Sequence, residues 1–244
     1  MHLTRDFLGG PRPLKQSWVI DAHKGLTGPF VALLMLAYSN GSPAAWLYLA
    51  LHGGYGLAWV AKDRLFPDRA WRARVTLGGA LVTFVGLSLY WAAPFLLVSG
   101  AAGATPVPVR AAAVVVFTVG LVLMLGADAQ KHAALRRGAG LIQTGFFRRT
   151  RHPNYLGEML VYATFALLVE HWLPWAILAA VWLVLFLPRM LAIDASLARY
   201  PDWAAYRART GFLLPSLSGR GELNRGDEER AQPDSRADAT APEN

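Results

Sequence analysis

The chain has 244 residues, of which 54% are hydrophobic and 16% charged, with a mean hydropathy of +0.30 and a formal charge of +8. Its apolar residues run in long blocks rather than short alternations, which excludes an ordinary soluble domain and marks a membrane protein. The lack of cysteine excludes disulfides, thiolate-bound zinc, iron–sulfur clusters and a cysteine nucleophile.

In chain order, the segment before Leu26 carries Arg5, Asp6, Pro11 and Pro13 and shows neither an apolar run nor a small-residue cleavage pattern, so no secretory signal peptide is visible and the first span must itself direct insertion. Six apolar blocks follow, at about Leu26–Tyr38, Ala44–Ala61, Val75–Val98, Val109–Ala127, Tyr155–Val169 and Trp172–Met190. The first and fifth are short for a bilayer and need tilt or local thinning. Lys and Arg concentrate in the N-terminal segment (Arg5, Arg12, Lys15, Lys24), the second loop (Lys62 to Arg74) and the fourth (Lys131 to Arg151), while the other loops carry only Arg110. This alternation predicts six spans with both termini in the cytoplasm. The positive charge is then explained by topology and anionic lipid, and no nucleic-acid partner is called for.

The glycines of His52-Gly53-Gly54-Tyr55-Gly56 and of Gly78-Gly79 fall within spans, where either close helix packing or a cavity accounts for them. From Arg189 to Pro215 the pattern becomes amphipathic, with Leu191, Leu197, Tyr200, Trp203, Tyr206 and Phe212 among Asp194, Arg199, Asp202, Arg207 and Arg209. Two short cytoplasmic helices are expected there, the second begun by Pro201 and ended by Gly211. From Ser216 to Asn244 the chain is polar, has few large apolar residues and is expected to be a disordered tail. Residues 1–215 thus read as one all-α, polytopic membrane domain.

The most informative stretch is Arg151-His152-Pro153-Asn154-Tyr155-Leu156-Gly157-Glu158, which leads into an apolar helix. Pro153 suits a first helical position, so the N–H groups after it and the positive helix end welcome an anion, with Arg148, Arg149, Arg151 and His152 nearby. The same arginines also satisfy the positive-inside rule. Tyr155, Glu158 and Tyr162 lie at i, i+3 and i+7 and share one face, with Asn154 one turn before Glu158. A carboxylate inside a span costs at least about 2.5–3.5 kcal/mol, so Glu158 must face the bundle interior or a wet cavity. Either a ligand site or an interhelical clamp with a neighbouring Lys or Arg meets that requirement. At the end of the fourth block stand Asp128, Gln130, Lys131 and His132, then Arg136 and Arg137. His132, His152 and His171 show no zinc spacing; a haem held by two of them is a minor alternative.

Asp128-x-Gln130-Lys131, Gly145-Phe146-Phe147-Arg148, Arg151-His152-Pro153-Asn154-Tyr155-x-Gly157-Glu158 and Ser196-Leu197-Ala198-Arg199-Tyr200-Pro201, with Tyr206 and Pro215, resemble the C-terminal domain of the steroid 5-alpha-reductase and sterol reductase superfamily, particularly its uncharacterised bacterial branch. The resemblance covers about residues 120–215, and Asn-Tyr-x-Gly-Glu is its most specific part. It implies an enzyme of the inner membrane whose C-terminal half binds NADPH at the cytoplasmic side and reduces an activated carbon–carbon double bond in a lipophilic substrate. By position it implies Asn154 and Glu158 at the nicotinamide half, Asp128, Arg136, Arg148, Arg151 and His152 at the ribose and phosphates, and Tyr155 or Tyr206 as proton donor. Arg-His-Pro-x-Tyr-x-Gly is also similar to isoprenylcysteine carboxyl methyltransferases, which use S-adenosylmethionine. Against that second resemblance, Glu158 stands where those enzymes usually carry an aromatic or aliphatic residue, and Ile193-Asp194-Ala195 replaces their paired glutamates. A third reading is a membrane scaffold or transporter whose polar stripe only packs.

Overall fold

The structure, a computed structural model, describes residues 3–216. Six helices carry the architecture: α1 (Gln16–Ala37), α2 (Pro43–Tyr48, continued through a π-helical turn Leu49–Gly53 into Gly54–Leu65), α3 (Leu77–Val98), α4 (Val107–Arg136), α5 (Pro153–Leu167) and α6 (Trp172–Leu197). A seven-residue helix, α7 (Trp203–Arg209), follows. Two antiparallel ladders of two residues tie loops together, Leu14–Lys15 with Arg74–Val75 and Gly103–Ala104 with Val169–Glu170.

Four helices, α1, α3, α4 and α6, are long and apolar enough to cross a membrane. Helix α1 begins at Gln16, ten residues before the expected Leu26, because Gln16, Ser17, His23, Lys24 and Thr27 are buried rather than solvated. At 22 residues it reaches about 33 Å, which removes the shortfall expected of the first block. Helix α5 starts at Pro153 as its sequence demands, but its 15 residues reach only about 22 Å, short of a hydrocarbon core of about 30 Å. Helix α4, with 30 residues, reaches about 45 Å, so its last turns, Gln130 to Arg136, extend past any apolar slab.

Helix starts follow local chemistry. The hydroxyl of Ser42 accepts from Ala45 N–H before α2, that of Thr76 accepts from Gly79 N–H at 3.0 Å before α3, and Nδ1 of His171 accepts from Leu173 N–H at 3.1 Å before α6. In the amphipathic C-terminal stretch the last helix begins at Trp203 rather than at Pro201. Beyond Ser216 the expected polar tail lies outside the described residues.

Helices α4 and α5 form the most extensive pair, and α1 packs on α2 and α3. The glycines serve close packing: a Cβ on Gly53 would stand 3.3 Å from the Gly28 Cα, and one on Gly56 would collide with the Lys24 carbonyl. Between the helices lies an aromatic core in which His52 stacks on Phe165 at 3.9 Å, Tyr90 on Tyr162 at 4.0 Å, and Tyr48, Tyr55 and Tyr162 are buried.

Candidate functional site

Helix α5 presents its polar stripe to α4 on one side and to α1 and α2 on the other. Asn154 Nδ2 donates to Asp128 Oδ1 of α4 at 3.0 Å, and Asp128 Oδ2 pairs with Lys62 Nζ of α2 at 2.5 Å. The Lys62 ammonium also lies 4.2 Å from the ring centroid of Trp59, a cation–π contact. One turn deeper, Glu158 accepts from the Tyr55 hydroxyl at 3.4 Å and stands 4.0 Å from Lys24 Nζ of α1. Lys24 also donates to the hydroxyls of Tyr55, at 3.2 Å, and Tyr162. Its ammonium is ringed by Tyr55, Trp59 and Tyr162 at 4.5–4.7 Å. The carboxylate expected to need a partner has one, contributed by a residue 134 positions away in the chain.

Beyond Asp128 and Lys62 opens a cavity of about 340 Å³, walled by the C-terminal ends of α2 and α4 and the loop between α2 and α3. Lys62, Arg72, Lys131 and Arg136 line it against only two carboxylates, Asp68 and Asp128, with His132, Phe66, Pro67 and Leu135 completing the wall. Lys131 donates to Asp68 at 3.0 Å. Burial alone would push the Asp68 carboxyl up, but the Lys131 ammonium and the Ala70 N–H that donates to it outweigh this and hold it below the usual range. Four basic side chains against two carboxylates give the lining an excess of positive charge, the electrostatic requirement for holding an anion.

The first half of the motif on α5 is used differently. Arg151 Nε donates to Asp194 of α6 at 3.0 Å, and its guanidinium donates to the carbonyls of Thr210 and Arg207 at 2.9 and 3.3 Å. His152 Nε2 meets the other Asp194 oxygen at 3.0 Å. Burial pushes His152 down to about 4 despite the opposing carboxylate, so the imidazole is neutral at physiological pH. Around this triad the C-terminal strap docks: Arg151 N–H donates to Gly211 O and Gly211 N–H to Arg149 O, both at 3.0 Å, while Thr150 Oγ1 donates to Leu213 O at 2.8 Å. Tyr206 donates its hydroxyl to Phe147 O at 2.8 Å, and burial pushes its phenol up to about 12.

Of the residues singled out from sequence, Asp128 and Arg136 line the cavity, Asn154 reaches it only through its hydrogen bond to Asp128, and Glu158 lies one helical turn after Asn154. Arg151 and His152 are engaged with Asp194, Tyr206 with a loop carbonyl, and Arg148 is exposed after the Gly145–Phe147 turn. Tyr155 is half-buried, edge-on to His152 and to Phe186 of α6. The cavity lies between the C-terminal ends of α2 and α4 and the loop after α2, whereas the sequence places the nucleotide pocket among the fourth to sixth spans; on that side Asp194 pairs with Arg151 and His152. Sequence reasoning treated Lys24, Lys62 and Arg72 as topological charge and gave Lys131 no site role beyond its place in the Asp128-x-Gln130-Lys131 element. The signal available for the two buried lysines was a carboxylate in each facing helix that required a cation.

Comparison with known proteins places this geometry in a group without an assigned activity. An uncharacterized protein of Schizosaccharomyces pombe is 35% identical over 95 residues, covering 36% of this chain and 28% of that protein. A second uncharacterized protein of the same yeast is 40% identical over 58 residues, covering 24% and 19% of the two chains. The matches thus span less than a third of the length of either relative. The model of the DUF1295 family, proteins of unknown function, matches residues 62–210, more than half of the sequence, and the chain belongs to that family.

Proposed function

We propose that this protein is a membrane-embedded, NADPH-dependent reductase of an activated carbon–carbon double bond in a lipophilic substrate, of the steroid 5-alpha-reductase and sterol reductase type. DUF1295 is associated with steroid 5-alpha-reductase-like proteins. The observation that carries the reading is the cavity with excess positive charge whose inner wall is Asp128, hydrogen-bonded to Asn154. Its volume falls within the range of about 300–1,000 Å³ common for small-molecule sites. Arg72, Lys131 and Arg136 would hold phosphates, Asp128 a ribose hydroxyl and Asn154 the carboxamide of the nicotinamide. Bound there, the cofactor would supply a hydride. The chain's own residues hold it, keep bulk water from the apolar core and deliver the proton.

The methyltransferase alternative meets a specific obstacle. S-adenosylmethionine carries a sulfonium, which aromatic rings and a carboxylate would stabilise, but the aromatic cage beside Glu158 is already filled by the Lys24 ammonium. Two cations in one desolvated cage repel strongly. The scaffold or transporter reading draws on the same ion pairs as interhelical clamps and predicts no nucleotide binding. Titration of the detergent-purified chain separates the three. Saturable NADPH binding is expected, weakened about tenfold or more when Lys131→Met and Arg136→Met are combined and abolished by Asn154→Ala with insertion intact. S-adenosylmethionine should not saturate; its binding alone would select the methyltransferase, and failure of both ligands the scaffold.

The membrane arrangement proposed with this function has six spans, with α2 and the short α5 crossing inside the bundle, both termini and the cavity cytoplasmic, and the protein in the inner membrane. The basic ends of α2, α4 and the N-terminal segment support it. Because the chain has no cysteine, single cysteines report topology cleanly. An impermeant maleimide added to intact cells should label Gly100→Cys and spare Gly138→Cys; labelling of both or the reverse pattern would overturn the orientation.

A further inference from the structure

One wall of the cavity between α2 and α4 is a short turn of chain. Residues 66–72 lead from α2 toward α3, and Phe66, Pro67, Asp68 and Arg72 among them line the cavity. Both ends of this stretch are fixed. Phe66 N–H donates to Lys62 O at 2.9 Å, closing the last turn of α2, and on the far side Ala73 O accepts from Gln16 N–H at 3.0 Å. Trp71 is held as well, since it packs on the apolar core and carries the Arg189 guanidinium 4.1 Å above its ring. Among the described residues, the backbone of 67–70 hydrogen-bonds only within the turn. There the Asp68 carboxylate accepts from Ala70 N–H at 2.8 Å and its carbonyl from Trp71 N–H at 3.2 Å. From this turn one ion pair crosses to the opposite wall, Lys131 Nζ of α4 donating to Asp68 Oδ2 at 3.0 Å. Its side chains are 36% and 29% exposed, against 8% and 10% for Lys62 and Asp128 at the inner wall. An ion pair so open to water is weak.

Lys131 therefore has two claimants, the Asp68 carboxylate and any anion that enters the cavity. Resting on the reading of this cavity as a nucleotide site, we infer that the Asp68–Lys131 pair is an autoinhibitory latch: it keeps the flap 66–70 against α4, and a phosphate-bearing ligand takes Lys131, releases Asp68 and lifts the flap. Asp68 offers one charge to Lys131 alone. A diphosphate offers more charge and more acceptor oxygens, shared among Lys131, Arg72 and Arg136, so the exchange favours the ligand. The freed carboxylate does not lose all its counter-charge, because the Arg189 guanidinium already contributes to the field that holds Asp68 ionised. Trp71, gripped between the core and Arg189, is the hinge about which the turn moves. Affinity for the ligand is then the net of one ion pair formed and one broken.

The test uses the full chain in detergent, with inorganic pyrophosphate and NADPH as separate probes. Nitroxides on Ala70→Cys and Ala133→Cys, both exposed positions in a chain without cysteine, report the distance from flap to α4 by double electron–electron resonance. Saturating pyrophosphate and NADPH should each lengthen it. Asp68→Asn keeps an acceptor for the Ala70 N–H but loses the charge, so it should lengthen the distance without either probe and tighten the binding of both about threefold. Lys131→Met should free the flap equally but weaken binding, since it removes the cation that both anions claim. Asp63→Asn makes the same change of charge in the last turn of α2, outside the cavity lining, and should leave the flap in place. A pair that only braces the fold predicts weaker binding in Asp68→Asn. That result, a distance unmoved by a bound probe, or equal tightening in Asp63→Asn overturns the inference. The two levels separate cleanly: NADPH bound beneath an unmoved flap removes the latch alone, whereas a flap moved by pyrophosphate with no binding of NADPH removes the reductase reading and leaves the latch. If neither probe binds, both fall.

Discussion

Asp128→Ala is expected to cost about 3–5 kcal/mol of bundle stability and to eliminate nucleotide binding together. The carboxylate is the acceptor of Asn154 and the counter-charge of Lys62, and the two charged side chains are only 8% and 10% exposed. Removing one partner of a buried pair leaves the other charge uncompensated, which is why the cost exceeds that of an exposed salt bridge. The diagnostic comparison is the double replacement Lys62→Met with Asp128→Leu. Two apolar groups of similar volume remove both desolvation penalties, so stability in a detergent-unfolding titration should return to within about 1 kcal/mol of the wild-type value, the remainder being the lost hydrogen bond from Asn154. Binding should not return, because the cavity has then lost the carboxylate proposed to hold the ribose and one of its cations. A single replacement that costs less than about 1 kcal/mol would mean that water reaches the pair freely.

The second large effect is expected at the α4–α5 contact. Gly157 and Gly120 let these helices approach until a Cβ on Gly157 would sit 2.6 Å from the Gly120 carbonyl oxygen, and one on Gly120 would sit 2.8 Å from the Gly157 carbonyl oxygen. Backbone atoms cannot rotate away as a side chain can. Gly157→Ala should therefore lie at or above the upper end of the usual overpacking cost, about 3 kcal/mol. Because α4 carries Asp128 and α5 carries Asn154, separating the helices also stretches the 3.0 Å bond between them. Gly54→Ala is the matched control, since nothing stands within 4 Å of its added methyl group. It should leave the unfolding midpoint unchanged or raise it slightly through helix propensity.

These two sites show what could be read from the chain and what could not. Pro153 as a helix start follows from local chemistry, as does the inward turn of Glu158, because a proline ring and a carboxylate in an apolar helix each leave few options. The identity of Glu158's partner is a tertiary fact. Lys24 precedes the apolar block, so its charge reads as a loop residue, and only the packing of α1 against α2 reveals that Gln16, Ser17, His23 and Thr27 are buried with it. Asp194 reads as a gap in a methyltransferase pattern. In the structure it receives both Arg151 and His152, which takes these two residues of the motif away from the cavity. Spacing along one helix shows which residues share a face, but not which neighbour will neutralise them.

The strap that docks at Thr150 has a consequence for how the protein is made. Arg149, Thr150, Arg151 and His152 leave the ribosome before Asp194, Thr210, Gly211 and Leu213, the residues that satisfy them. Helices α1 to α5 are therefore all synthesised while the junction at the start of α5 still lacks the partners of its guanidinium and backbone groups. Closure of this junction therefore waits on Asp194 and residues 210–213, which are synthesised well after α5 itself.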